Sequence, residues 1–426
     1  MCVGSRNVLY LAFAQAMQIL FLTHRLPYPP DKGERIRAFH ELYYLATRHE
    51  VDLFCFADSQ ECAENRQLLQ GMCRSVHVEV LKKPIRVMHA AGNLLAGRPM
   101  TFGFFHSRTF DQGVREALRR RRYDVIFVYC SSMGGSVPQP SPAPVVVDFV
   151  DADSQKFNQY AARSGFFRRW LYAREARAVA AAEQSLGRMA ALCFAVTEHD
   201  AIELMGNNQE AFTVEVVPNG AEVPHAPDEQ DPSELQKLKP FALFVGTMDY
   251  PPNSDAAAYF ARDIFPLVRN VHPDLRFVIV GRNPDRSVRE LAKLPGVVVT
   301  GPVPDVFQYF RNAEVSVAPF RISQGFHNKI AESLAVGTPV VTTSRAMAGI
   351  GLGEREGLFV ADTTEDLAAK ISAVLNDRGL QTDLRKRAAS VRQLLSWDSR
   401  LRRMEELIVQ VVTGSVRPQR ELVVGH

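Results

Sequence analysis

The chain is short of several things, and each shortage excludes a class of protein. Charge of one sign is scarce: 50 basic and 47 acidic residues in 426 leave a net charge of +3. Dedicated nucleic-acid binders carry a marked basic excess, so no nucleic-acid partner is expected, although a local basic patch is compatible with the balance. Paired cysteines are lacking too. Cys2, Cys55, Cys62, Cys73, Cys130 and Cys193 form no C-x-x-C pair, which removes the zinc and dithiol-redox signals and reads as reduced, buried thiols of a cytosolic protein. No uncharged apolar run reaches the ~18 residues of a membrane-spanning helix. Repeats of ~20–50 residues and low-complexity tracts are also missing. What is there, 46% hydrophobic and 23% charged residues, is the composition of a folded chain. Its length exceeds one ordinary domain and allows two cores.

The beginning supports two readings. Val8–Met17 is an apolar run of ten preceded by Arg6 and containing Ala14-Gln15-Ala16, the outline of a short signal peptide. The plainer reading starts the fold at Met17, because a strand pattern opens at Gln18. A cytoplasmic location is expected on that reading.

Beyond it, short apolar runs alternate with helical patterns. Ile19–Thr23, Val51–Phe56, Val76–Leu81, Val125–Tyr129, Val145–Val150 and Leu192–Thr197 read as strands. Near-continuous apolar runs of this length suit parallel strands buried on both faces. Arg35–Arg48 and Ser107–Arg121 carry helical periodicity between them. A proline- and charge-rich stretch then breaks the pattern, which restarts with Phe241–Val245, Phe277–Val280, Val297–Thr300, Val315–Ala318 and Pro339–Thr343. The expectation is an α/β chain of two Rossmann-like, doubly wound parallel-sheet domains. They span 17–222 and 241–390, joined by a linker over 223–240 and closed by a C-terminal helix over 391–416.

Open parallel sheets bind ligands at the carboxyl ends of their strands, so the segments after each strand carry the interest. After the first strand comes His24-Arg25-Leu26-Pro27-Tyr28-Pro29-Pro30-Asp31-Lys32-Gly33-Glu34-Arg35, with Arg37 beyond. Gly33 at a helix start, with Lys32 and Arg35 beside it, suits an anion; the competing reading is a solvated loop. After the fifth strand, Asp148, Asp151 and Asp153 fall within six residues. Asp151-Ala152-Asp153 has the D-x-D form of a metal-binding tripeptide. Hard cations want more oxygen ligands than these, and Asp153 or Ser154 suits a helix cap, so no metal is expected.

The strongest constellation is Arg321-Ile322-Ser323-Gln324-Gly325-Phe326-His327-Asn328-Lys329-Ile330-Ala331-Glu332. It follows a strand, carries a glycine, and puts Lys329 and Glu332 on one helix face. A cation near the helix start suits phosphate; a carboxylate one turn on suits a ribose diol. The bland alternative is a surface ion pair of the two, worth little. Gly246 and Gly281 each end a strand, and Arg282 stands where it can reach a phosphate.

Several of these stretches resemble a known family. The order Val217-Pro218-Asn219-Gly220, Val245-Gly246, Val280-Gly281 and an E-x7-E-like segment ending at Glu332 resembles the GT-B glycosyltransferases of the family 4 type. THRLPYPPDKGERIR, VDFVDADSQKF, FVGTMDYPPNSDA and NKIAESLAVGTPVV are similar to the sugar transferases of exosortase/PEP-CTERM systems. The resemblance implies transfer of a hexosyl or related sugar from a nucleotide-sugar donor, which is a substrate and not a cofactor, to a glycan or lipid-linked acceptor in exopolysaccharide assembly. It implies retention of configuration without metal.

The resemblance also assigns residues. Glu332 matches the glutamate that holds the ribose, and Gln324 stands where the first glutamate of E-x7-E belongs. Gly325 and Phe326 would meet the donor sugar, Val303 the base, and Lys329 and Arg321 the diphosphate, with Gly246 lining the same site. The Arg/Lys pair usual after Val-Gly is absent from Gly246-Thr247-Met248-Asp249-Tyr250, so Arg282 or the first-half basic loop would substitute. On the acceptor side Gly33 matches the glycine loop. The family histidine after the fifth strand is replaced by Val150, leaving Asp148 or Asp151 to orient the acceptor hydroxyl. The catalytic candidates are Asp151, Lys329 and Glu332.

Two further readings stay open: a sugar-nucleotide epimerase of the same plan, and a non-catalytic nucleotide-sugar-binding partner of another transferase. Arg163–Tyr172 mixes arginines with Phe166, Phe167, Trp170 and Tyr172. That pattern suits peripheral contact with anionic lipid on the inner face of the plasma membrane, or equally a helix packing its aromatics onto its own domain.

Overall fold

A computed structural model describes residues 16–30, 33–59, 65–162, 164–206, 211–221, 233–322, 326–347, 350–352 and 356–414. The alternative starts before residue 16, Lys32, Gln324, Gly325 and most of the expected linker lie outside the described residues. The chain divides into two compact units. One comprises the described residues through Val217 and from Leu401 on; the other runs from Pro218 to Arg400.

The first unit is built on β1 (Gln18–Thr23), α1 (Gly33–Ala46), β2 (Glu50–Ala57), β3 (Ser75–Val80), α2 (Lys83–Leu95), α3 (Arg108–Arg120), β4 (Val125–Tyr129), β5 (Val145–Asp148), α4 (Asp153–Ala162), α5 (Phe166–Met189), β6 (Leu192–Ala195) and β7 (Val214–Val216), with short helices between. All neighbouring strands pair in parallel, in the order β3-β2-β1-β4-β5-β6-β7. Ile19–Leu22 and Val125–Val128 are fully buried, as strands covered by helices on both faces must be.

The second unit repeats the plan with β8 (Phe241–Val245), α6 (Pro251–Tyr259), β9 (Arg276–Val280), β10 (Val297–Gly301), β11 (Val315–Ala318), α7 (Asn328–Ala335), β12 (Val340–Thr342), β13 (Leu358–Val360) and α8 (Thr364–Asn376). Its order is β10-β9-β8-β11-β12-β13, again parallel. Thr363 caps α8 by accepting from the Asp366 amide at 3.1 Å, which satisfies one of the free donors at a helix start.

Eleven strands thus fall on or within two residues of the runs legible in the sequence. The two not foreseen, β7 and β13, are three residues long and close the sheets at one edge. Edge strands are covered less completely, so they need no continuous apolar run. Residues 233–240 also behave differently from a linker. Leu235 is buried under β8 and β9 with Phe241, Leu243, Val278 and Val280. The expected helix over 391–416 is found as Arg392–Leu395 followed by α9 (Trp397–Val412), and from Leu401 the chain belongs to the first unit. Glu405 fastens it there, accepting from the Tyr44 hydroxyl at 2.9 Å and bonding His49 at 2.9 Å.

In both units the strand order reverses once, between β1 and β4 and between β8 and β11. Loops leave in opposite directions at such a point and open a crevice at the carboxyl ends. The candidate residues after β1, β8 and β11 stand there.

Candidate functional site

In the second unit the site is built around glycines. The Gly246 amide donates to the Val280 carbonyl at 3.0 Å, and the Gly281 amide to Gly301 at 3.0 Å. A Cβ at Gly281 would fall 1.6 Å from the Gly246 carbonyl oxygen, so only glycine lets these strand ends close together.

Over Gly246 lies Asn253 of α6, buried, with its side-chain amide donating to the Thr247 carbonyl at 2.9 Å. Its oxygen accepts from Lys329 Nζ at 2.6 Å. The same ammonium sits 4.6 Å from the ring centre of Phe244 on β8 and 4.5 Å from that of Phe320 after β11. Two aromatic faces and a neutral amide therefore hold the cation. No ion pair joins Lys329 and Glu332 within 4.0 Å among the described residues, so the bland surface-pair reading does not hold. Burial pushes Lys329 down to about 7, with Glu332 opposing that shift. Burial pushes Glu332 up to about 7, with Lys329 opposing. His327 stacks on Phe320 at 4.3 Å and burial lowers it to about 3, so it is neutral. Lys329 is thus a half-buried cation in direct contact with a neutral amide and two rings, with the Glu332 carboxyl acting on it from beyond ion-pair distance.

The remaining second-unit candidates scatter around this centre. Arg321 is committed to α6: it forms a two-pronged bond to Asp255 at 3.2 and 2.5 Å and lies over the Tyr259 ring at 4.5 Å. Arg282 is exposed, while its carbonyl accepts from the Met248 amide at 2.8 Å and fixes the loop after β8. Val303 and Phe326 are half-buried, packing against the smaller and larger apolar clusters of the unit.

In the first unit the structure corrects several expectations. Asp148 is fully buried and cannot face an acceptor. It accepts from Arg37 Nε at 2.6 Å and from the Val150 amide at 2.9 Å. Arg37, expected to add charge to the loop, is itself fully buried between Asp148 and Glu41, 2.8 Å away, and donates to the Val217 carbonyl at 2.9 Å. Burial and the nearby Asp148 raise Glu41 well above the usual carboxylate range. His24 is buried against Phe105, and burial with the surrounding cations lowers it to about 3, so it adds no charge either. Arg35 is 4.0 Å from Asp58, which also pairs with Arg25 at 3.0 Å and Arg86 at 2.9 Å. Gly33 opens α1 with free space where a Cβ would be.

Asp151 follows a strained residue. Val150 has φ 67° and Cys130, after β4, has φ 76°; a β-branched residue in the left-handed region is an outlier that persists only where surroundings impose it. Although part of Asp151 meets solvent, crowding and the carboxylates of Asp200 and Asp153 push it up to about 7. Asp153 is turned to the Ser131 hydroxyl, which donates at 3.2 Å.

Asn253, Phe244 and Phe320 were not foreseen as site residues. Asn253 lies inside FVGTMDYPPNSDA, 76 positions before Lys329; its one signal is an asparagine soon after a strand-end glycine.

Comparisons with known proteins agree with this picture. A family model described as glycosyl transferases group 1 matches residues 239–377, and one described as a glycosyl transferase 4-like domain matches residues 37–220. No curated protein matches the chain. Among solved structures, sucrose-phosphate synthase from Thermosynechococcus elongatus is 16% identical with a TM-score of 0.65, covering 93% of this chain and 100% of its own. Anabaena HepE in complex with UDP and glucose is 17% identical with a TM-score of 0.62, covering 92% and 99%. WaaG, a glycosyltransferase involved in lipopolysaccharide biosynthesis, is 16% identical with a TM-score of 0.59, covering 93% and 100%. At such identities the likeness is one of fold, and it is the two-domain α/β GT-B fold. The two family models reach into both units, and the chain belongs to the GT-B glycosyltransferases of the family 4 type.

Proposed function

We propose that this glycosyltransferase moves a hexosyl or related sugar from a nucleoside-diphosphate donor to a glycan or lipid-linked acceptor, with retention and without a metal. The setting we infer is exopolysaccharide assembly of the exosortase-associated kind, on the strength of the motif resemblance. The observation that carries the donor reading is Lys329, an ammonium held by Asn253 and two ring faces with no carboxylate within 4.0 Å among the described residues. In this reading Lys329 meets the diphosphate, Glu332 accepts from the ribose hydroxyls, and Arg282 supplies a second, exposed cation. Gly246 leaves room for Asn253, the residue that holds Lys329, and Phe326 and Val303 border the sugar and base. Arg321, already paired with Asp255, serves at most by exchanging that partner. On the acceptor side Gly33 and Arg35 border the incoming chain, and Asp151 orients the attacking hydroxyl.

The step balances simply. The acceptor oxygen forms a bond to the anomeric carbon as the bond from that carbon to the diphosphate oxygen breaks. The leaving diphosphate takes the electron pair, and Lys329 stabilises the charge that develops there. The acceptor proton passes to the departing phosphate or to Asp151, whose pKa near 7 allows it to take and release a proton.

A thermal-shift panel of UDP-, GDP-, ADP- and dTDP-sugars on wild type and Glu332→Ala tests this. UDP-sugars head the panel because HepE is seen with UDP and glucose. At a ligand excess of about 100-fold over Kd, stabilisation approaches about 2.7 kcal/mol. A shift with one nucleotide class, lost in Glu332→Ala, is expected. No shift with any of them, or conversion of the sugar without acceptor, would overturn the reading.

A further inference from the structure

We propose that the first unit carries a membrane-docking face, made by α2 and the start of α5, whose partner is an anionic lipid bilayer. This goes beyond the donor and acceptor reading above and does not depend on it.

The carrying observation is a helix turned inside out. A surface helix of a folded domain buries its apolar stripe and shows its polar face to water. In α2 the buried side chain is Arg86, which donates to the Leu81 carbonyl at 3.0 Å and the Ala57 carbonyl at 3.2 Å and pairs with Asp58 at 2.9 Å. Those bonds fix which side faces inward. Ile85, Met88 and Leu95, at helical spacing on the other side, are exposed, Leu95 to 90%.

The start of α5 adds to the same edge. Phe166 is 92% exposed, Phe167 79% and Trp170 58%. Of the four rings in this segment these three point away from their own domain, and Tyr172 alone packs onto it, against Phe157 and Tyr160. Arg174, one turn after Trp170, donates to the Leu94 carbonyl at 3.2 Å and to Arg98 at 2.7 Å, tying α5 to the end of α2. Glu175, buried, anchors the same junction by accepting from the Met100 and Thr101 amides at 3.0 and 2.9 Å. The two apolar patches are thus held together by a rigid joint.

Charge decides the partner. No Asp or Glu occurs from Leu81 to Arg98, nor from Ser164 to Arg174. Lys82, Lys83, Arg168 and Arg169 are all exposed beside the apolar side chains. In a chain with nearly equal totals of each sign, the charged residues of these two stretches are all basic. Each such residue near an anionic leaflet contributes about 1 kcal/mol, and aromatic rings settle at the headgroup level. A second copy fits worse, because a two-fold interface would set these cations against themselves. No helix among the described residues is long and apolar enough to cross a membrane, so the contact is interfacial.

Flotation of the full chain with phosphatidylglycerol-containing vesicles and with pure phosphatidylcholine vesicles tests the proposal. The chain has two tryptophans, and Trp397 is buried, so Trp170 alone reports insertion. Binding to the anionic vesicles is expected, with a blue shift of emission that Trp170→Phe abolishes. Raised salt weakens it. Arg168→Glu with Arg169→Glu should weaken binding by about tenfold or more, and Phe166→Ser with Phe167→Ser by a similar factor. These variants keep the wild-type thermal shift with nucleotide, which separates a failure here from a failure of the donor reading. Absence of flotation, flotation without an emission change, or a dimer in light scattering that the Phe166 and Phe167 variants dissociate would each overturn the proposal.

Discussion

Two basic side chains, one in each unit, meet opposite fates. Arg37 on α1 is fully buried between Asp148 and Glu41 and also bonds the Val217 carbonyl. Lys329 on α7 is held by an amide and two rings, with no carboxylate within ion-pair reach among the described residues. The first closes its charge on itself and holds the end of β7 in place. The second keeps its charge uncompensated, which costs stability and is useful only when an anion arrives. A charged residue near a strand end is therefore a candidate ligand site where the fold leaves its charge open, and a structural clamp where the fold closes it.

The largest test of that contrast is stability. Arg37→Ala leaves Asp148 buried without its partner and should cost about 3–5 kcal/mol in urea unfolding. Lys329→Met removes a desolvated cation and should be neutral or stabilising in the same measurement. Equal losses in both would break the comparison.

Next comes turnover. On the proposed donor reading, Lys329→Ala should lower kcat by a factor of tens or more while leaving the fold intact, because it would remove charge from the leaving diphosphate. Near-normal turnover would remove Lys329 from the mechanism.

The smallest expected effect is in pH. Lys329 has its folded pKa lowered to about 7, so it is charged below that pH and loses its charge as pH rises through it. Nucleotide-diphosphate affinity should therefore weaken as pH rises through 7, by about tenfold or less, as read by calorimetric titration. Lys329→Arg keeps its charge throughout, and whatever dependence remains belongs to Glu332 and the nucleotide. Asn253→Asp puts a carboxylate 2.6 Å from Nζ and should move the midpoint upward. An unmoved midpoint would mean that Asn253 does not set the state of Lys329.

How much of this was legible depended on the range of the interaction. Glycines ending β8 and β9 and the three-residue spacing of Lys329 and Glu332 are local facts, and the fold brings Lys329 to the end of β8. Asn253 and Lys329 are 76 positions apart, and Arg37 and Asp148 are 111 apart; no spacing rule connects either pair. Asp148 and Asp151 look alike on a strand end in the sequence. The fold buries Asp148 on Arg37 and leaves Asp151 at the rim behind the strained Val150.

By itself the sequence determined the central strands, the two-unit plan and the glycines at the strand ends, because burial on both faces and turns at strand ends write short-range patterns. Tertiary structure alone decided which charges are cancelled, which edge strands complete the sheets, where the last helix returns, and which face of α2 points outward. Those outcomes depend on partners distant in the chain, and a side chain's chemistry does not reveal what will be packed against it.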